Sequence, residues 1–167
     1  ANGEEVVEVP VGFKWVGKAM GETDALIGGE ESGGFSIRGH IREKDGVLMA
    51  LLAGAVTAAE PLDDRVDTLL DEHGEIHASK RSVACPDEQK ERVLSDLEDH
   101  IPDSVAGSAV ANTVTLDGFK LLLEDGSWLL IRPSGTEPKL RVYGEASSEA
   151  RLETLLDEGV DLVEPLV

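Results

Sequence analysis

Four short apolar runs leave the second half of this chain little choice of architecture. They are Thr113–Leu116, Phe119–Glu124, Ser127–Ile131 and Leu140–Tyr143, each bounded by turn residues. Runs of this length and composition read as strands rather than helices. Asp117-Gly118 and Asp125-Gly126 separate the first three. Asp-Gly between apolar runs is a strong hairpin-turn signal, because both residues tolerate the left-handed backbone of a tight turn. The last connection is longer: Arg132-Pro133-Ser134-Gly135-Thr136-Glu137-Pro138.

That heptapeptide has the composition of an anion cradle. Ser134 and Thr136 offer hydroxyl donors, and Gly135 allows a ligand close to backbone N–H groups. Arg132 supplies a planar fork matched to two phosphate oxygens. The bracketing prolines limit the loop's freedom, which lowers the entropy lost when a ligand orders it. Taken alone, the same residues also suit a polar turn with one surface arginine.

Around these strands, Glu75 to Ala84 alternates like a further strand, and Asp87 to Asp99 is an amphipathic helix ended by Ile101-Pro102. Ser104 to Asn112 is small and polar and reads as loop. Ser148 to about Val163 reads as a final helix. Residues 75–167 are therefore expected to be an α+β domain: a strand, a helix, four strands and a helix, with a four-stranded, mainly antiparallel sheet backed by the two helices.

The first half has a different texture. Val6–Val9 reads as a strand, Pro10-Val11-Gly12 as its turn, and Phe13, Val16 and Met20 as one helix face. Lys14, at the turn-to-helix junction, could meet an anion, although a lone lysine in such a place is more often simply solvated. Ala25-Leu26-Ile27 reads as a short buried strand running into Gly28-Gly29-Glu30-Glu31-Ser32-Gly33-Gly34. Carboxylates and a hydroxyl between glycines suit a sugar, whose hydroxyls donate to the acids and accept from the serine. The bland alternative is a glycine-rich surface turn. A metal site fits less well, since Mg²⁺ or Ca²⁺ would need more oxygen ligands.

Phe35–Ile37 continues as a strand, and Asp45 can cap a helix beginning near Val47. That helix is apolar on nearly every side, which predicts wide burial. Leu62 to Glu72 is a second, amphipathic helix, stopped at His73-Gly74. Residues 1–74 thus read as part of an α/β domain, with helices on a mixed sheet, and the boundary falls before residue 75.

Charge excludes several functions. The 167 residues carry 34 acids and 15 bases, a net −19. The excess is even, with 16 acids against 6 bases in residues 1–75 and 18 against 9 in residues 76–167. Nothing here could neutralise a run of phosphates, so nucleic acid is not an expected partner. The longest apolar run, Val47 to Ala59, is too short to span a bilayer and is broken by Gly54 and Thr57. No membrane partner is expected. A lone Cys85 gives no internal disulfide, and with no charged-then-apolar leader in the sequence, a cytoplasmic location is expected.

The acids fit either a very soluble protein or one adapted to concentrated salt, and the seven lysines, a low number, favour the second. Self-repulsion then predicts a rising Tm between dilute buffer and about molar KCl, where the Debye length is roughly 3 Å. Calorimetry across a KCl series checks this. A flat or falling curve would leave the acids a solubility role only.

The motifs together resemble the α-D-phosphohexomutases, the phosphoglucomutase/phosphomannomutase family. Gly29-Glu30-Glu31-Ser32-Gly33 is similar to the sugar-binding loop of that family's third domain. Arg132 to Pro138 is similar to the phosphate-binding loop of its fourth. Pro10 to Trp15, Arg38-Gly39-His40 and Lys44-Asp45-Gly46 also fit, in the expected order. The resemblance implies substrate contacts from Glu30, Ser32, Lys14, Arg132, Ser134, Gly135 and Thr136, with hexose phosphates as ligands. Many members have histidine after the Ser-Gly of the sugar loop; Gly34 stands there instead, which tilts the expectation toward glucose-type substrates. Phosphomannomutase and phosphoglucosamine mutase remain alternatives.

The family's phosphoserine, in a Ser-His-Asn-Pro context, and its Asp-x-Asp-x-Asp loop for Mg²⁺ have no counterpart in these residues. The chain is therefore expected to be a C-terminal portion of an intramolecular phosphotransferase: the back of domain three, and all of domain four. Its partners would be the missing N-terminal domains. No catalytic residue or metal ligand is expected here, and the chain alone is expected to be inactive. A phosphosugar-binding module without chemistry is the alternative of another class.

Overall fold

The computed structural model describes residues 5–167, and the chain divides into two compact units, residues 1–72 and 73–167.

In the first unit, α1 (Phe13–Thr23) turns Phe13, Val16 and Met20 inward, and Val9 and Ala25 pack against them. The hairpin β1 (Ile27–Gly29) and β2 (Phe35–Ile37) lies against this helix. Gly28 is a packing requirement. A Cβ there would come within 2.6 Å of the Val16 and Met20 side chains.

Helices α2 (Gly46–Ala59) and α3 (Leu62–His73) follow. As the sequence predicts, Asp45 caps α2, its Oδ1 accepting from the N–H groups of Val47 and Leu48 at 3.0 Å. The expected burial of α2 is not found. Neither α2 nor α3 has a buried residue, and Val47 is 74% exposed. The reason is geometric: a hairpin of two three-residue strands cannot cover a 14-residue apolar helix.

Three other expectations are corrected in this unit. Residues 6–9 form no strand, because no described neighbour offers them a ladder. The strand expected at Ala25–Ile27 starts at Ile27 and is exposed rather than buried. The sheet is a two-stranded antiparallel hairpin and not a mixed sheet. Among the described residues no single helix is long and apolar enough to cross a membrane.

The second unit is a six-stranded sheet rather than the expected four. Its strands are β3 (His77–Ala84), β4 (Ser104–Val105), β5 (Ser108–Val114), β6 (Phe119–Leu123), β7 (Trp128–Pro133) and β8 (Lys139–Ala146). Their spatial order is β3-β8-β7-β6-β5-β4, with every neighbouring pair antiparallel. The helices are α4 (Asp87–Glu98) and α5 (Glu149–Val163). Strict alternation along β6 and β8 buries Phe119, Leu121, Leu123, Leu140 and Val142. They pack with Val93 and Leu97 of α4 and Leu155 and Leu156 of α5. Gly159 lets α5 approach the sheet, since a Cβ there would lie 2.6 Å from Val142.

The stretch that reads as loop, Ser104–Asn112, supplies β4 and the first part of β5, whose end takes in Thr113 and Val114 of the strand expected at Thr113–Leu116. β4 and β5 are joined by Ala106-Gly107, both at positive φ (50° and 77°). Alanine has no local preference for that conformation. Here α5 holds the turn: Arg151 donates to the Ala106 carbonyl, and the Glu158 carboxylate accepts the Ala106 N–H.

Candidate functional site

β7 and β8 present the heptapeptide at one end of the larger sheet. Arg132 and Pro133 belong to β7, pairing with Arg141 and Leu140, so the loop proper is 134–138 and not 132–138. Its neck is closed by the Ser134 N–H donating to Lys139 O at 3.0 Å. The Cys85 N–H donates to Pro138 O at 3.0 Å and ties the loop to the β3–α4 junction. Ser134 is buried, whereas Gly135 and Thr136 are exposed. A Cβ on Gly135 would meet nothing within 4 Å, so this glycine is not demanded by packing and leaves its backbone approachable.

Arg132 is held from below. Its Nη2 donates to the Tyr143 hydroxyl at 2.9 Å, and its guanidinium carbon lies 5.1 Å from that ring's centre. Tyr143 sits two residues beyond Arg141 on β8, beside Leu130 of β7. On the other side, Asp117 Oδ2 lies 3.8 Å from Arg132 Nε; this oxygen is buried and accepts no hydrogen bond among the described residues. Gly118 makes the approach possible, at φ 103°, since a Cβ there would lie 2.3 Å from the Ile131 carbonyl and 2.7 Å from Arg132 Cβ. The Asp-Gly hairpin turn therefore also aims the arginine.

Glu137 is a paired charge within the loop. It pairs with Lys139 at 2.7 Å and with Arg141. The hydrogen bond from Lys139 holds its carboxyl below the usual carboxylate range. Cys85 is fully buried, and burial pushes its thiol up.

The glycine-rich stretch forms the β1–β2 turn. The Glu30 N–H donates to Gly34 O and the Gly33 N–H to Glu30 O, both at 2.9 Å, with Gly33 at φ 90°. Glu30 Oε1 accepts the Gly12 N–H at 3.2 Å, which joins this turn to the one preceding α1. Ser32 and Glu31 are exposed at the tip. Lys14 is exposed on the first turn of α1 with its ammonium 5.0 Å from the Trp15 ring centre, and it forms no ion pair with Glu30.

Lys44, which the sequence offers only as part of the Lys44-Asp45-Gly46 motif, lies beside this turn. Its ammonium lies 5.1 Å from the Phe13 ring centre, and its stem would be 3.0 Å from a Cβ on Gly34. Asp45 beside it bonds His40 Nε2 at 2.9 Å; the Leu48 N–H, then His40, hold its carboxyl below the ordinary range.

Comparison with known proteins places these two turns in a family. Residues 1–73 match the sequence model for the phosphoglucomutase/phosphomannomutase alpha/beta/alpha domain III, and residues 82–162 match that for the C-terminal domain of the same proteins. The chain belongs to the phosphoglucomutase/phosphomannomutase family. One relative in this family, named a probable phosphoglucosamine mutase from Methanothermobacter thermautotrophicus, is 35% identical over 148 residues, covering 88% of this chain and 32% of its own. A phosphopentomutase from Thermococcus kodakarensis is 36% identical over 121 residues, covering 72% and 26%. A solved structure from Thermus thermophilus, assigned provisionally as a phosphomannomutase, superposes with a TM-score of 0.70 at 31% identity, covering 98% of this chain and 32% of that one. The chain thus spans about a third of the length of the curated relatives it matches.

Mg²⁺, which the family implies, finds no matching donor set among the described residues. No three His, Cys, Asp or Glu side chains gather there as ligands would.

Proposed function

We propose that this chain supplies the sugar-holding and phosphate-holding loops of a phosphohexomutase, an intramolecular phosphotransferase that interconverts hexose 1- and 6-phosphates. The observation that carries this reading is Arg132, fixed by Tyr143 and Asp117 beside an exposed Gly135-Thr136 backbone. A guanidinium held in place needs no reordering to meet a phosphate, so more of its interaction appears as affinity. Ser134 and Thr136 would add hydroxyl donors. Glu30 and Ser32 would take ring hydroxyls, with Lys14 nearby.

In the whole enzyme a phosphoserine would transfer its phosphoryl group to the sugar, forming a bisphosphate, and the other phosphate would return to the serine. Both that serine and the Mg²⁺ ligands would lie outside this chain. The role left to these residues is positioning, which in phosphoryl transfer is a large share of catalysis.

A glucose-type substrate is the narrower reading. It is supported by Gly34, which stands where many members of the family have histidine. A panel of glucose, mannose, glucosamine and pentose 1-phosphates on the full-length parent tests it, with glucose expected to give the highest kcat/KM. The 167-residue chain alone is expected to bind phosphosugars without turning them over. A chain whose Tm responds to none of these ligands would end the reading.

A further inference from the structure

The 134–138 loop rests on a cation that its own motif does not contain. Lys90, in the first turn of α4, donates from Nζ to the carbonyl oxygens of Ser134 and Glu137, each at 2.7 Å. Asp87 Oδ1 lies 2.5 Å from the same nitrogen, and the Lys90 side chain is 13% exposed. An ammonium group has three donors, and three acceptors surround this one. It is clipped to the loop, unlike a solvated surface lysine.

The direction of these bonds matters. Peptide groups are planar, and no cis bond occurs among the described residues. With the Ser134 carbonyl turned to Lys90, the N–H of the same peptide, that of Gly135, points the opposite way. Gly135 itself is exposed, and a Cβ on it would meet nothing within 4 Å. Joining Ser134 and Glu137 through one atom also fixes the distance across the loop.

We propose that Lys90 is the positioning residue of the phosphate-holding loop, presetting the Gly135 amide to donate to a phosphate oxygen. The proposal rests on the reading of the loop given above. The Lys90 ammonium is already occupied by two loop carbonyls and the Asp87 carboxylate, so its effect falls on affinity through pre-organisation.

The test is a titration of the ¹⁵N-labelled chain with inorganic phosphate at constant ionic strength, following the Gly135 and Thr136 amides. The wild-type chain is expected to show a saturable shift. Lys90→Met keeps the length and removes the donors; its Kd should rise about tenfold, the order of one charge-assisted hydrogen bond. Lys90→Arg, which keeps a charge and several donors, should recover most of that loss. A purely structural lysine would lower Tm in Lys90→Met without changing the affinity of the folded protein.

A folded Lys90→Met that binds phosphate within twofold of wild type overturns the proposal. If that variant does not fold, Lys90→Gln is read by the same criterion. A wild-type chain whose Gly135 amide ignores phosphate would remove the reading of the loop itself, and the clamp with it. A wild-type response with an unchanged Lys90 variant would remove the clamp alone.

Discussion

Arg132→Ala is expected to cost on the order of 2–4 kcal/mol of phosphosugar affinity, because a bidentate, charge-assisted contact is lost. In the full-length parent the loss should fall on KM and kcat together, since what disappears is positioning. Arg132→Lys should recover only part of it: an ammonium keeps the charge and loses the fork. One side effect must be separated from this. Removing the guanidinium leaves the buried Asp117 Oδ2 without the cation 3.8 Å away, which should lower Tm as well. Adding Asp117→Asn relieves that buried charge. The double variant should therefore regain stability while remaining a poor binder. Near-normal kcat/KM in Arg132→Ala would mean that the loop does not hold phosphate.

How much of this could be read from the sequence differs from element to element. β6, β7 and their turns were legible because Asp117-Gly118 and Asp125-Gly126 carry their own conformational preference. The β4–β5 hairpin was not, because Ala106-Gly107 is stabilised by Arg151 and Glu158, 45 and 52 residues away. The same division runs through the site. Arg132 announced itself by type and by the loop that follows it. Its orientation by Tyr143 depends on strand register, and its brace at Asp117 depends on a hairpin turn folding back. Lys90 was illegible for the same reason, as its acceptors are main-chain carbonyls on a distant loop. Side-chain chemistry is written locally, whereas the aim of a side chain is set by tertiary contacts.

The burial of α2 went wrong for a related reason. A continuous apolar surface shows that a helix needs cover and does not show where the cover comes from. In the larger unit the matching surface is present: α4 and α5 find a six-stranded sheet alternating in register with them. In the smaller unit Gly46–Ala59 finds only a short hairpin.

That contrast predicts a large difference in local stability. Among the described residues, the larger unit buries 17 in one apolar cluster, and that of the smaller has three, Phe13, Val16 and Met20. At roughly 1.5–3 kcal/mol for each large apolar side chain taken from water, the larger core has much the greater hydrophobic stabilisation. Helices of 14 and 12 residues are marginal in water without tertiary packing, and neither α2 nor α3 has a buried residue. Amide hydrogen exchange in the 167-residue chain should therefore find β6, β7, β8 and α5 protected near the global limit. Residues 46–73 should exchange through local opening, several kcal/mol below that limit. Limited proteolysis should cut first in the same segment and leave a resistant fragment containing residues 77–163. Addition of phosphate should protect the 134–138 loop without slowing exchange in α2, because the loop belongs to the other unit. Equal protection of both units in a demonstrated monomer would sink this account, since α2 and α3 would then have a cover that the described residues do not provide.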